Sequence, residues 1–221
     1  MDRPRPLVRL ASGSVPTETL EAEIARTLVE APPDEVGRSF GQWLGALWAV
    51  GEWLREQHAG PPTGTSTGTS TGTAPTWRRP AWLPAPHRSS LETWGGLMAR
   101  GEARLHGPLG LDRIRRPAPD LVEIDPGGGS GDPAADVGGV VADLLRLQWL
   151  GGRAGADRIP RLVVAFTTSY CGLPATGRLD EVALRRAIAL RSAHRAGADD
   201  AEASRARLRA LVEQSWLRVD G

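Results

Sequence analysis

Apolar residues recur at helical spacing along most of this chain. The first predicted helix covers residues 17–31, begins after a threonine cap at Thr17 or Thr19, and is ended by Pro32 and Pro33. Its apolar stripe has three members: Leu20, Ile24 and Leu28. The chain is therefore predicted to begin with a short amphipathic helix.

A second predicted helix follows and has the clearest pattern in the N-terminal half. Five apolar residues lie on one face: Val36, Phe40, Leu44, Leu47 and Leu54. Three tryptophans recur every five residues and therefore spiral around the helix: Trp43, Trp48 and Trp53. At least one of them is expected outside the core stripe, either as a contact residue on the surface or as a cover for the core edge.

The C-terminal half is predicted to be helical around one strand. Residues 121–125 form the strand, residues 127–131 a loop, and Asp132 caps a helix that runs to about residue 150. Five of its residues are expected to face inward: Val137, Val140, Val141, Leu144 and Leu145. Further helices are predicted over four ranges: 90–100, 159–171, 180–195 and 199–217. The fold class is therefore mainly α with a small β element.

Residues 60–76 have a different composition from the rest of the chain. They repeat threonine, glycine and serine and contain no large apolar residue. Such a segment has no apolar area to bury, so a disordered insert is predicted there.

Composition and charge narrow the possible partners. Formal net charge is +1, from 27 basic and 26 acidic residues, and every basic residue is an arginine. This balance predicts no nucleic-acid partner and no membrane contact. Cys171 is the only cysteine, which excludes an internal disulfide and a thiolate zinc cluster, and it is predicted to be a buried structural thiol. The N-terminus has no apolar signal core, so a cytoplasmic protein is expected.

The most informative stretch is D-P-G-G-G-S-G-D-P-A-A-D-V-G, which begins at Asp125. A strand leads to Asp125, glycines then allow a sharp turn, and Asp132 and Pro133 open a helix. This order resembles the aminoglycoside phosphotransferase and choline-kinase-like family. The resemblance implies a protein-kinase-like C-terminal lobe, a magnesium-binding role for Asp125, and a structural role for Asp132 and for Asp136, which ties its loop to the catalytic loop. An ordinary loop before a capped helix remains the alternative.

The family's catalytic loop reads H-G-D-x-x-x-x-N, and this chain departs from it at the two residues that do the chemistry. His106 and Gly107 match, but Pro108 stands at the position of the catalytic aspartate and Arg113 at that of the metal-binding asparagine. Proline cannot accept a proton, and arginine repels a metal ion. The loop is therefore interpreted as vestigial, with no cofactor.

A rearranged metal site is the alternative to a vestigial one. Asp112 lies one residue before the asparagine position, and Glu123 shares a strand face with Asp125 because side chains alternate along a strand. These three carboxylates are the ligands of a hypothetical single-metal site. Mg-ATP is expected as a cofactor only under this alternative.

The resemblance covers residues 36–221, which are predicted to form the phosphotransferase-like C-terminal lobe. Residues 1–35 are predicted to be an N-terminal extension, and the nucleotide-covering N-terminal lobe of the family is expected to be missing or vestigial. The chain contains no lysine to pair with a nucleotide phosphate.

Two functions follow from this sequence. The first is a degenerate phosphotransferase-like protein that binds a substrate peptide or a protein partner within a modification complex, such as one that matures peptide serines and threonines. This version rests on fold analogy. The alternative is an active small ATP-dependent phosphotransferase. A serine hydrolase is not indicated, because no G-x-S-x-G motif occurs.

Overall fold

The computed structural model describes residues 6–12, 18–60, 77, 81–101, 103–107, 109–172 and 179–198. Helices make up 68% of the described residues, which confirms the predicted class, mainly α with a small β element. Four predictions lie outside the described residues: Thr17 as a cap, the insert over 61–76, Pro108, and the helix over 199–217.

Six helices and five strands make up the described part of the chain. The helices are α1 Leu20–Glu30, α2 Pro33–Ala59, α3 Ala85–Met98, α4 Ala134–Leu150, α5 Gly152–Cys171 and α6 Glu181–Ala198. The strands are β1 Leu7–Leu10, β2 Ala103–Leu105, β3 Ile114–Ala118, β4 Leu121–Ile124 and β5 Gly129–Gly131, and a short 3-10 turn covers Leu111–Arg113. None of these described helices is both long enough and apolar enough to cross a membrane.

Local signals account for the helix ends. Thr19 caps α1, because its hydroxyl accepts the Ala22 amide at 3.2 Å. Pro33 is the first residue of α2, a position that suits proline since the missing N–H has no partner there in any helix. Gly151 lies between α4 and α5, and Gly152, the first residue of α5, adopts φ +53°, which favours glycine. These three ends lie close to the predicted ones.

The strands form two small sheets. In the first, the order is β1-β4-β3, with β1 parallel to β4 and β3 antiparallel to β4. In the second, β2 pairs with β5 in antiparallel fashion. The predicted loop over 127–131 is thus wrong in part, because its last three residues are β5. Glycine permits this close pairing, since a Cβ at Gly131 would lie 2.7 Å from a side-chain carbon of Leu105 on β2.

The chain divides into two compact units. The first comprises Met1–Ala59, Gly110–Pro126 and Asp143–Arg178, and the second comprises Gly60–Leu109, Gly127–Ala142 and Leu179–Gly221. The predicted boundary between residues 35 and 36 falls inside α2 and within the first unit.

Helices α2 and α5 pack closely in the first unit. A Cβ at Gly51 would lie 2.7 Å from the Phe166 carbonyl oxygen, so glycine lets the two backbones approach. The buried stripe of α2 follows heptad-like spacing: Val36, Phe40, Trp43, Leu47, Val50 and Leu54. Trp43 takes the place predicted for Leu44, which is half-buried. Trp48 and Trp53 are also half-buried, so two of the three tryptophans lie outside this stripe, as predicted.

Helices α3 and α6 supply much of the core of the second unit. The α3 residues are Leu91, Trp94 and Met98, and the α6 residues are Ala183, Ala187, Leu190 and Ala193. The small α6 residues let the bulky α3 side chains pack against its surface.

Candidate functional site

The loop after β2 is held by a buried aspartate of α4 in the second unit. Asp136 is fully buried, and its carboxylate accepts the His106 amide at 2.7 Å and the Leu109 amide at 3.2 Å. Gly107 lies between them at φ +65°, a left-handed conformation that favours glycine. The structure therefore contains the tie between Asp136 and the His106 loop that the family resemblance implies.

Asp132 and Gly139 fix α4 to its surroundings. Asp132 accepts the Ala134 amide at 2.8 Å through its side chain, and its own amide donates to the Met98 carbonyl at 2.8 Å. A Cβ at Gly139 would lie 3.1 Å from the carbonyl carbon of Leu109, closer than ordinary van der Waals contact. The cap, the buried carboxylate and this close approach give the loop a defined position against the first turns of α4.

In the first unit, the two predicted metal ligands at the end of β4 each face an arginine. Glu123 accepts a hydrogen bond from Nε of Arg9 at 3.0 Å, and Asp125 forms an ion pair with Arg115. These arginines come from β1 and β3, the two strands that flank β4. The Asp125 amide donates to the Arg113 carbonyl at 2.9 Å, which continues the hairpin by one residue. The β4 carboxylates are therefore charge-compensated by the chain itself.

Asp112 lies in a different cluster from Glu123 and Asp125. In the described part of the chain, the group of three carboxylates whose oxygen atoms lie within 4.8 Å of one another is Glu21, Asp112 and Asp143. The predicted trio of Asp112, Glu123 and Asp125 does not form such a group among the described residues.

This carboxylate cluster has the ligand chemistry of a hard cation but is already engaged. Carboxylate oxygens suit Mg²⁺ or Ca²⁺. However, Arg146 forms an ion pair with Glu21, and the buried Asp143 accepts the Leu111 amide at 2.9 Å. Asp143 thus holds the start of the 3-10 turn, and the cluster serves structure through these two contacts.

Sequence reasoning missed Glu21 and Asp143 as partners of Asp112. They lie on α1 and α4, so no local motif joins them. One signal was present in the sequence. Asp143 lies seven residues, or about two helical turns, after Asp136 and interrupts an apolar stretch of α4. An aspartate on the inward stripe of an apolar helix indicates a buried carboxylate that needs donors.

Cys171 lies at the C-terminal end of α5. It is a free thiol at the last position of α5 and is half-buried, so the prediction of a buried thiol is wrong in degree. The helix end leaves it partly exposed, because the chain turns away at Gly172 with φ +74°.

Comparison of the chain with protein-family models, with curated proteins and with solved structures gives no match. The family resemblance therefore rests on sequence motifs, chiefly those of the Asp125 and His106 segments.

Proposed function

We propose that this chain is a non-catalytic protein with a phosphotransferase-like, protein-kinase-like C-terminal lobe, and that it binds a peptide or a protein partner. One observation carries the proposal: Asp125, the residue that the resemblance makes a magnesium ligand, is paired with Arg115. Both side chains are partly buried, with exposed fractions of 32% for Asp125 and 23% for Arg115.

The charge of Arg115 opposes the binding of a metal ion at this carboxylate. Two unit positive charges about 4 Å apart repel by about 4 kcal/mol at the effective dielectric near a protein surface. That is about a thousandfold in affinity, since each 1.4 kcal/mol is about tenfold. A divalent ion would be repelled more strongly, so Arg115 would have to leave Asp125 before magnesium could bind.

The residues of the loop support the same conclusion. Its chemistry has been replaced at Pro108 and Arg113, while its scaffold contact, from Asp136 to the amides of His106 and Leu109, is present. By fold analogy, a retained scaffold contact beside substituted catalytic positions supports a binding role without a transfer reaction.

Binding is supported by apolar surface in the first unit. Leu7, Val29 and Val164 are 66%, 68% and 62% exposed. Exposed aliphatic side chains are candidates for contact with another polypeptide where they adjoin one another in a patch.

A thermal-shift titration with Mg²⁺ and ATP tests the loss of catalysis. A ligand at 100 times its dissociation constant adds about 2.7 kcal/mol of stability. We expect no change in Tm for the wild-type chain and no transfer of phosphate to added acceptors. As a matched pair, Asp125→Asn and Asp120→Asn change a paired and an exposed aspartate near the ends of the same strand.

Two results would contradict the proposal. One is a Tm rise with Mg-ATP that Asp125→Asn abolishes and Asp120→Asn keeps. The other is phosphate transfer with the same dependence. The first would place a Mg-ATP site at Asp125, and the second would establish the alternative, an active phosphotransferase with a metal at Asp125.

A further inference from the structure

Strand β1 has an unpaired outer edge within the described part of the chain. It lies at one end of the β1-β4-β3 sheet and pairs there with β4 alone. An edge strand presents a row of unpaired backbone groups that can accept another extended chain.

The register identifies which residues present those groups. Leu7 donates its amide to Asp120 at 2.8 Å and Ala11 donates to Ile124 at 2.9 Å, so alternate residues of β1 bond to β4. Val8 and Leu10 lie between them, and their N–H and C=O groups point away from β4. Among the described residues, two N–H groups and two C=O groups of β1 therefore lie at the edge without a strand partner.

The side chains around this edge are also open. Leu7 is 66% exposed and Leu10 is 44% exposed. Val8 and Leu10 share a sheet face with buried Val122 and Ile124, because each is their direct register partner. An added strand would extend this apolar face through the residues that it places beside Val8 and Leu10.

Arg9 selects the chemistry of the added strand. Its guanidinium bonds to Glu123 through Nε and Nη2, which leaves Nη1 without a hydrogen-bond partner among the described residues, and its side chain is 52% exposed. A strand that pairs through Val8 and Leu10 places one residue directly opposite Arg9. In a symmetric antiparallel pair of two copies that pairs Val8 with Leu10, that residue would be a second Arg9, and like charges directly opposite destabilise a pair. A carboxylate there would instead accept a hydrogen bond from Nη1 of Arg9.

We infer that β1 is the docking strand for an extended peptide segment with the pattern apolar, acidic, apolar, whose backbone pairs with Val8 and Leu10 and whose acidic side chain lies opposite Arg9. This inference rests on the proposed binding function and names the place and chemistry of the partner. Main-chain pairing supplies affinity in this mode of recognition, and the side chains supply specificity.

Selection from a phage-displayed library of random twelve-residue peptides, with the full chain as bait, tests the inference. We expect enriched peptides with an acidic residue between two apolar residues. Their affinity should fall about tenfold or more for Val8→Pro, which removes an edge N–H, and stay unchanged for Val8→Thr, which keeps it. Because the Val8 amide does not bond to β4, proline leaves the pairing inside the sheet intact.

Two further readouts make the test independent of one variant. Arg9→Gln should weaken binding about two- to fivefold, as expected for loss of a cross-strand ion pair. In the wild-type chain, bound peptide should slow hydrogen exchange at the amides of Val8 and Leu10. That measurement stands even if Val8→Pro fails to fold.

Three results would overturn the inference. They are no enrichment of peptides, selected peptides that leave the exchange at Val8 and Leu10 unchanged, and a dimer of the chain whose formation Val8→Pro prevents. The last would assign the edge to a second copy. Failure of the proposed function would be detected in the separate thermal-shift experiment, as Mg-ATP binding that depends on Asp125. That outcome would not change the peptide result.

Discussion

Removal of the Asp136 carboxylate should destabilise the second unit strongly. Asp136→Ala leaves the amides of His106 and Leu109 without their acceptor in a buried site. Each unsatisfied buried donor costs about 1–3 kcal/mol, so we expect a loss of about 3 kcal/mol after local relaxation. For a chain of this size that corresponds to a fall in Tm of about 6–12 °C.

Two comparisons sharpen this experiment. Asp136→Asn keeps one carbonyl oxygen but turns an NH₂ group toward the other amide, so its loss should approach that of alanine. Glu56→Ala removes an exposed carboxylate from α2 and should change the stability by less than about 0.5 kcal/mol.

Hydrogen exchange followed by mass spectrometry locates the effect. Peptides that cover residues 103–110 should lose protection in Asp136→Ala and keep it in Glu56→Ala. The reasoning is refuted if Asp136→Ala unfolds within about 1 kcal/mol of the wild type and keeps protection in this segment. The carboxylate would then not be what holds the loop.

Three other predictions concern the first unit. Asp143→Ala should lower the free energy of unfolding in urea by about 1–3 kcal/mol, because the buried Leu111 amide loses its acceptor. A loss below about 0.5 kcal/mol would refute this prediction. Gly51→Ala places a Cβ 2.7 Å from a carbonyl oxygen of α5 and should lower the Tm. Gly41→Ala meets nothing within 4 Å and should raise the free energy of unfolding by about 1 kcal/mol. Equal effects of the two substitutions on the Tm would contradict the close packing of α2 against α5. Hydrogen bonds from Arg26 hold the pKa of Glu18 below its ordinary value of 4.5. The ionised Glu18 therefore stabilises the folded chain slightly above pH 4.5, and this stabilisation is lost as the pH falls through the lowered pKa. A carboxyl NMR titration should give a midpoint below 4.5 that Arg26→Gln returns to normal.

The helices could be predicted from the sequence because their signals are local. Each signal acts within a few residues: the apolar period of α2, the threonine cap of α1, and the proline at the end of α1. The strand β4 was predicted for the same reason, since three of its four residues are large and apolar.

The remaining strands could not be predicted, because their pairing is non-local. Strand β1 is stabilised by β4, whose residues lie 114 positions further along the chain. Strand β5 consists of two glycines and a serine, a composition that indicates a loop until its partner β2 is known. Neither carries a hydrophobic period that would identify it alone.

The candidate site divides in the same way. The tie from Asp136 was implied by a motif within one stretch of sequence. The ion pair between Asp125 and Arg115 depends on the bulged pairing of β3 with β4, and the cluster around Asp112 depends on α1 and α4. Those contacts exist only after the elements have assembled.

The discontinuity of both units has a consequence for synthesis. Each unit is assembled from three separate segments, so a growing chain holds incomplete cores until most of it has left the ribosome. Strand β1 must wait, unpaired, for a partner made more than a hundred residues later, and closing such long loops slows folding. Cutting the chain between Ala59 and Gly60 would leave the second unit on one piece but separate Met1–Ala59 from the rest of the first unit. Chaperone dependence during expression is the expected outcome of this arrangement.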